Sequence, residues 1–241
     1  MRLFSTLLTL TLLLPAYSPA QDAPKSKADF EQLIHDYLLK HPEVVIEAVA
    51  KYQENQRNDE KKKAEQSIST NQQQLVNDPN SPAAGADASK AVTVVEFFDY
   101  RCGYCKRMAP TVAKFVNDAK VHLVYKELPI LGPDSIIAAK AALASRKQGD
   151  YVKFHQDLMA LQGTITMAAI EGVAAKNSMD VAKLKTDMEA PDVQAQIAAT
   201  QKLAQTIGVD ATPSFVIGNQ LFTGAMDDTE FQNAITKAQK R

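Results

Sequence analysis

The chain has 241 residues, of which 45% are hydrophobic and 23% are charged, and its 27 Lys and Arg residues nearly balance its 28 Asp and Glu residues. This composition indicates an ordinary globular protein and excludes a collagen-like or wholly disordered chain. Apart from residues 61–63 the basic residues form no block. We therefore predict no nucleic-acid partner, because phosphate binding needs a clustered basic face.

The first 20 residues have the features of a signal peptide. Arg2 precedes an apolar run at residues 3–14, and Ser18 and Ala20 occupy the small-residue positions of a cleavage site. An uncleaved anchor is the alternative, but the run is shorter than the roughly 20 residues that cross a bilayer. We predict export, cleavage near Ala20 and a periplasmic location.

Two amphipathic helices are predicted next. Apolar side chains recur at three- and four-residue steps in residues 29–40, and Pro42 is suited to begin a second helix, whose apolar stripe fades after Tyr52. Residues 53–74 are almost all polar and predict a solvated helix or helical linker. Such short helices cannot bury their stripes within themselves. We expect residues 21–74 to pack on the domain that follows or, as we favour, on another copy of the chain.

Residues 75–241 are predicted to form an α/β domain after the turn-rich residues 77–82. Residues 91–98 have the apolar composition of a buried central strand, and a second strand is predicted at residues 121–127. Residues 214–217 and 221–223 are predicted as short strands that flank a tight turn at Gly218 and Asn219. Helical spacing occurs at residues 135–147, 151–161, 168–176 and 193–207, so a helical insertion is expected at about 134–207. Asp227 is suited to cap a last helix.

The chain's two cysteines, Cys102 and Cys105, form a Cys-Gly-Tyr-Cys sequence where a helix is predicted to follow the first strand. Their spacing puts their Cα atoms about 5 to 6 Å apart, a distance that a disulfide tolerates. The positive end of the helix dipole favours the thiolate of Cys102. We predict that Cys102 attacks the substrate and that Cys105 resolves the mixed disulfide.

Two other interpretations of this pair stay open. An inert structural disulfide is one, although a disulfide that closes so short a loop stabilises the folded protein only a little. Half of a zinc site is the other, but zinc usually needs four ligands and the four histidines have no matching spacing, so we predict no metal. We expect the histidines at helix ends or on the surface: His35, His41, His122 and His155.

Pro213 lies directly after Thr212 and before a predicted strand. The X-Pro bond is the one peptide bond for which the cis form is cheap, yet most such bonds are trans, so the residues alone leave both open. A cis bond would turn the backbone polar groups of Thr212 outward, where they can pair with an extended peptide.

These motifs together resemble the DsbA-like branch of the thioredoxin superfamily: residues 97–106, Glu127-Leu128-Pro129 and residues 212–215. The resemblance implies a thioredoxin fold with a helical insertion, here preceded by an N-terminal α-helical oligomerisation segment. It also implies that Pro213 is cis and lies beside Cys102, and that Thr212 and Pro213 bind substrate.

Residues 38–45 and 77–79 are similar to the subgroup of DsbA-like immunoreactive surface antigens and ScsC-like periplasmic proteins. In that subgroup an N-terminal helical extension joins protomers. The similarity implies a homodimer or homotrimer.

The dipeptide Gly103-Tyr104 and the residue Thr212 differ from DsbA itself and resemble the disulfide isomerase DsbC. We expect Tyr104 to tune the cysteines and contact substrate. Glu96 lies where the family has a buried acid, and it is expected to exchange protons with Cys105. A solvated Glu96, or one paired with Lys126, is the alternative.

The predicted function is a cofactor-free periplasmic thiol-disulfide oxidoreductase that isomerises or introduces disulfides in exported proteins. Its predicted partners are unfolded or misfolded exported proteins with cysteines and a DsbB-like or DsbD-like membrane redox protein. A monomeric DsbA-type oxidase is one alternative, and a non-catalytic surface or interaction protein is another.

Overall fold

The computed structural model describes residues 24, 26–118, 121–149 and 151–240. The predicted signal peptide, residues 1–20, lies outside the described residues. The chain divides into two units, Met1–Asn55 and Gln56–Arg241. Within the described ranges, no helix combines the length and hydropathy needed to cross a membrane.

The first unit contains helix α1 (Lys27–Lys40) and the beginning of helix α2 (Pro42–Thr70). Ser26 caps α1, because its hydroxyl accepts a hydrogen bond from the backbone N–H of Asp29 at 3.2 Å. No residue of α1 is buried. Large apolar side chains of both helices are exposed, namely Phe30, Leu33, Ile34, Tyr37, Leu39, Val44, Val45, Ile46, Val49 and Tyr52.

The second unit is built on a five-stranded sheet in the order β1-β3-β2-β4-β5. The strands are β1 (Ala83–Gly85), β2 (Val92–Phe98), β3 (Val121–Glu127), β4 (Ser214–Ile217) and β5 (Gln220–Thr223). Strands β2 and β3 are parallel, and the other pairs are antiparallel. The central position of β2 explains why its sequence is apolar on both faces.

The remaining helices include the insertion that was predicted between the second and third of the expected strands. They are α3 (Gln72–Val76), α4 (Gly103–Asn117), α5 (Pro133–Ser145), α6 (Tyr151–Ala160), α7 (Met167–Lys176), α8 (Val181–Met188), α9 (Pro191–Ile207) and α10 (Asp228–Gln239). Helices α5 to α9 lie between β3 and β4 in the chain. Strand β1 and helices α3 and α8 were not predicted.

The sheet separates two apolar clusters. One face carries Val94 and Phe98 of β2 and packs in a cluster with Met108 of α4 and Phe231 of α10. The other face carries Val95 and Phe97, and it packs in a cluster with residues of α2, α3 and α9, which are Ile68, Leu75, Leu203, Ala204 and Ile207. Alternate residues of β2 therefore lie in different cores.

The end of α2 and the turn after α3 are held to the second unit. Ile68 is fully buried, and the buried ammonium group of Lys126 donates to the carbonyl of Gln74 (2.6 Å), to Asp78 (3.1 Å) and to the Ser81 hydroxyl (2.7 Å). The division of the chain after Asn55 thus precedes the boundary that the sequence predicts between residues 74 and 75.

Candidate functional site

The two cysteines lie where β2 passes into α4. Cys102 is the N-cap of α4, and its sulfur accepts a hydrogen bond from the backbone N–H of Cys105 at 3.4 Å. The backbone N–H of Cys102 donates to the carbonyl of Asp99 at 3.0 Å. Below the cysteines, α4 buries the stripe Met108, Val112 and Phe115 against the sheet, which fixes the direction of its first turn.

The two thiols have different surroundings. Both are free, and Cys102 is 6% exposed whereas Cys105 is fully buried. Burial raises the pKa of the Cys105 thiol well above its usual value, and the negative charge of Glu96 raises it further, against a hydrogen bond from the backbone of Asp99 that lowers it. Cys102 is therefore the sulfur that a substrate can reach, and Cys105 keeps its proton until a base removes it.

The segment containing Thr212 and Pro213 lies against Cys102. The peptide bond between them is cis. The thiol of Cys102 donates to the carbonyl oxygen of Thr212 at 3.2 Å. A polypeptide that approaches Cys102 thus also meets the backbone of Thr212.

Glu96 is a buried acid on the same face of the sheet as the cysteines. It is 3% exposed and pairs in register with Tyr125 and Phe215. Burial raises its pKa from 4.5 to about 8. Because Lys126 is beside Phe97 in the register and points to the opposite face, the interpretation of Glu96 as solvated or paired with Lys126 is excluded.

Tyr104 projects from the first turn of α4 and is 58% exposed. The guanidinium group of Arg107 lies 4.1 Å from the centre of its ring. The neighbouring Arg101 is turned away, since its Nε pairs with the Asp134 carboxylate at 3.0 Å. Tyr104 is therefore a large exposed aromatic side chain next to the cysteines.

A buried polar cluster on the same side of the sheet as the cysteines was not predicted. One oxygen of Glu127 accepts hydrogen bonds from the hydroxyls of Tyr100 (3.0 Å) and Tyr151 (2.6 Å), and burial raises the pKa of Glu127 to about 8. The Tyr100 hydroxyl also lies 3.0 Å from Nδ1 of His155, whose pKa burial lowers to about 3. The prediction of a surface position is wrong for His155.

The other three histidines are not buried. In the part of the chain that the structure describes, no group of three or more His, Cys, Asp or Glu residues is placed to hold a metal ion. The site therefore combines a dithiol with two buried acids, Glu96 and Glu127, on the same side of the sheet.

A family model described as "Thioredoxin" matches residues 77–237, and one described as "Copper resistance protein ScsC N-terminal domain" matches residues 27–58. A solved thioredoxin-like oxidoreductase from Silicibacter pomeroyi DSS-3 is 44% identical, with a TM-score of 0.67, over 70% of this chain and 98% of that protein. The catalytic domain of Proteus mirabilis ScsC is 27% identical, with a TM-score of 0.66, over 73% of this chain and 99% of that domain.

Among curated proteins, the thiol:disulfide interchange protein DsbA of Bordetella parapertussis is 26% identical over 63% of this chain and 74% of its own length. The chain also matches Na+/H+ antiporters of two Salinispora species, and it spans 25% of their length. The likeness to the antiporters therefore concerns one part of those proteins. With the "Thioredoxin" match covering two thirds of the sequence, the chain belongs to the thioredoxin-like family, and DsbA-like and ScsC-like thiol-disulfide oxidoreductases are among its relatives.

Proposed function

We propose that this protein is a periplasmic thiol-disulfide oxidoreductase that isomerises disulfides, and introduces them, in exported proteins. The observation that carries the proposal is the position of Cys102, which lies at the start of α4 with its sulfur 3.2 Å from the carbonyl of Thr212. A reactive sulfur and a backbone group for an extended chain lie side by side there.

Isomerisation begins when the Cys102 thiolate attacks one sulfur of a wrong substrate disulfide. A mixed disulfide forms, and the second substrate sulfur leaves as a thiolate. Another substrate thiolate then attacks the substrate sulfur of the mixed disulfide, which forms a new substrate disulfide and releases Cys102. The substrate keeps its number of disulfides, so no external oxidant is consumed.

Cys105 provides the exit from a stalled mixed disulfide. It gives up its proton, attacks the sulfur of Cys102 and releases the substrate as a dithiol, with the enzyme left as a disulfide. The reverse sequence introduces a disulfide into a substrate dithiol. Glu96 is the proposed acceptor of the Cys105 proton, since it is buried on the same side of the sheet and its charge acts on that thiol.

We favour isomerisation because Gly103, Tyr104 and Thr212 resemble the corresponding residues of a disulfide isomerase. An isomerase needs a reduced Cys102, which a DsbD-like membrane reductase would supply, whereas a DsbB-like partner would keep an oxidase oxidised. Trapping thiols in intact cells measures the reduced fraction of Cys102. A mostly oxidised pool would contradict the isomerase and support the oxidase.

Oligomerisation through α1 and α2 is the second part of the proposal. The large apolar side chains of α1 are exposed, including Leu33 at 54% and Tyr37 at 52%. Such a surface is stabilised by burial against a partner, and another copy of the same helices offers a matching stripe. The match of residues 27–58 to the ScsC N-terminal family model agrees with this role.

Refolding of scrambled ribonuclease tests both parts. We expect reactivation by the wild-type protein, none by Cys102→Ala, and a large loss for the double variant Leu33→Asp, Tyr37→Asp, whose mass in solution should fall to that of one chain. Gln32→Ala, which changes an exposed polar residue of α1, is the matched control. Full isomerase activity in a monomeric double variant would refute the oligomer proposal.

Insulin reduction tests the rival class of function. Turnover no greater than that of Cys102→Ala would contradict thiol-disulfide exchange and support a non-catalytic interaction protein.

A truncated chain provides a further monomeric control for the oligomer test. A fragment beginning at Gln56 keeps the buried Ile68 and Leu75, so it suits this purpose better than a fragment beginning at Ala83.

A further inference from the structure

Asp99 is a buried acid in the loop between β2 and Cys102, and it is 1% exposed. Its carboxylate accepts four hydrogen bonds. Oδ1 accepts from the backbone N–H of Arg101 and from the hydroxyl of Ser135, each at 2.7 Å. Oδ2 accepts from the backbone N–H groups of Ile130 (2.9 Å) and Leu131 (3.0 Å). One side chain thus joins the cysteine loop, the loop after β3 and the start of α5.

The main chain of Asp99 contacts both cysteines. Its carbonyl accepts from the backbone N–H of Cys102 at 3.0 Å, and a backbone hydrogen bond of Asp99 lowers the pKa of the Cys105 thiol. The position of this one residue therefore affects the position of both sulfurs.

We infer that Asp99 is a positioning residue for thiol-disulfide exchange, which holds Cys102 within reach of Cys105 by binding the Arg101 N–H and the loop at residues 130–131. The inference rests on the proposed function. Its physical basis is that a buried carboxylate with four donors leaves four groups without a partner when it is removed, and such a loss is costly.

The guanidinium of Arg101 does not take over this task. It pairs with Asp134 at 3.0 Å and donates to the carbonyl of Leu131, so Asp99 itself is satisfied by main-chain N–H groups and one hydroxyl. A carboxylate can accept at both oxygens, whereas an amide accepts at one and donates at the other.

Asp99→Asn therefore separates the contacts. If the amide nitrogen takes the Oδ2 position, it faces two backbone N–H donors, those of Ile130 and Leu131. If it takes the Oδ1 position, it faces one backbone N–H donor, that of Arg101, because the Ser135 hydroxyl can rotate and accept a hydrogen bond. The second arrangement is favoured, and it breaks the bond to Arg101 while keeping those to residues 130 and 131. Ser135→Ala is the matched control, because it removes one bond to the carboxylate and keeps the Arg101 bond.

The equilibrium with glutathione measures the positioning. In that reaction the enzyme dithiol passes two electrons and two protons to glutathione disulfide, so that the enzyme disulfide and two glutathione thiols form. Fixed positions raise the effective concentration of one thiol at the other and favour the enzyme disulfide.

We expect Asp99→Asn to shift this equilibrium about tenfold toward the dithiol, which equals a reduction potential about 30 mV more oxidising. The glutathione adduct of Cys102, counted by mass spectrometry, should rise as Cys105 attacks it more slowly. Ser135→Ala should change the equilibrium less than twofold. A folded Asp99→Asn variant with the wild-type equilibrium and adduct level, or an equal shift in Ser135→Ala, would overturn the inference.

The wild-type protein provides a second measurement, which needs no folded variant. The amide proton of Arg101 should exchange with solvent at least about 100-fold more slowly than an unprotected amide, in both redox states, because it is bound to a buried carboxylate. A freely exchanging Arg101 amide would refute the inference. If the wild-type cysteines form no disulfide at any glutathione ratio, the proposed function fails instead.

Discussion

Replacing Glu96 by glutamine tests the acid beneath the cysteines through the pH dependence of stability. Burial raises the pKa of Glu96 from 4.5 to about 8, so the folded protein holds this proton where the unfolded chain has lost it. The contribution of this bound proton to the free energy of unfolding is complete below pH 4.5, falls as the pH rises, and is lost above pH 8. Each pH unit inside this window costs about 1.4 kcal/mol, which amounts to about 3 kcal/mol between pH 4.5 and pH 7.

Glutamine keeps the shape of the protonated acid and does not titrate. The difference in the free energy of unfolding, Glu96→Gln minus wild type, should therefore increase by about 3 kcal/mol between pH 4.5 and pH 7. Urea unfolding of the reduced protein at half-unit pH steps measures this difference. Glu60→Gln, on the exposed surface of α2, is the control and should show no such divergence. Parallel stability curves for the wild type and Glu96→Gln would refute the reasoning.

The same variant separates stability from catalysis. If the Glu96 carboxylate accepts the proton of Cys105, Glu96→Gln should lower insulin turnover on the order of 100-fold while the protein becomes more stable at neutral pH. The mixed disulfide at Cys102 should accumulate during turnover. Unchanged turnover in a stabilised variant would contradict the proton-transfer role and leave Glu96 as a buried acid without a part in the reaction.

Three further outcomes follow from the same contacts. Cys105→Ala should let Cys102 attack substrate but trap the mixed disulfide, which mass spectrometry detects; release at the wild-type rate would contradict the assigned order of attack. Because burial holds the pKa of His155 near 3, the wild type should lose about 2 kcal/mol more stability than His155→Asn when the pH falls from 7 to 5, and equal losses in urea titrations would argue against a neutral buried imidazole. Lys126→Met should cost about 3 to 5 kcal/mol because it leaves Asp78 without its buried cation. Lys114→Met removes an exposed ion pair and should leave the stability close to that of the wild type. Similar costs for the two variants would show that the buried pair contributes little.

Local sequence signals predicted several strands and the last helix of the second unit. Strand β3 has the predicted bounds, residues 121–127. The hairpin around Gly218 and Asn219 lies between β4 and β5. Asp227 caps α10 with a reciprocal bond to Glu230, as its position before a helical repeat predicts.

Elements that depend on distant partners were missed. Strand β1 has only small residues, and it forms because the edge of β3 is free to pair with Ala83, Ala84 and Gly85. No local pattern predicts such a strand. Helix α8 does have local signals, since Asp180 caps its N-terminus with its side chain and the spacing of Leu184 and Met188 places them on one buried face.

The buried cluster of Glu127, Tyr100, Tyr151 and His155 shows where residue type misleads. His155 was expected on the surface because histidine often lies there, but Tyr151, His155 and Leu158 recur at helical spacing and form one buried face of α6. Residue spacing was the better guide. The burial of Glu96 depends on which strands flank β2, and that follows from the order of the strands in the sheet.

The alternation of side chains along β2 and β3 makes the reaction sensitive to strand length. Glu96 lies on the face of the sheet that carries the cysteines, while Lys126, which pairs with Phe97 in the register, lies on the opposite face. Deleting one residue of β3 before Lys126 would shift the pairing by one and place an ammonium group opposite Glu96, where Tyr125 lies now. Insertions and deletions should therefore be tolerated in the connecting loops. Within these two strands they should abolish activity, because a shift of one residue in the pairing replaces an apolar or acidic neighbour by the cationic Lys126 side chain.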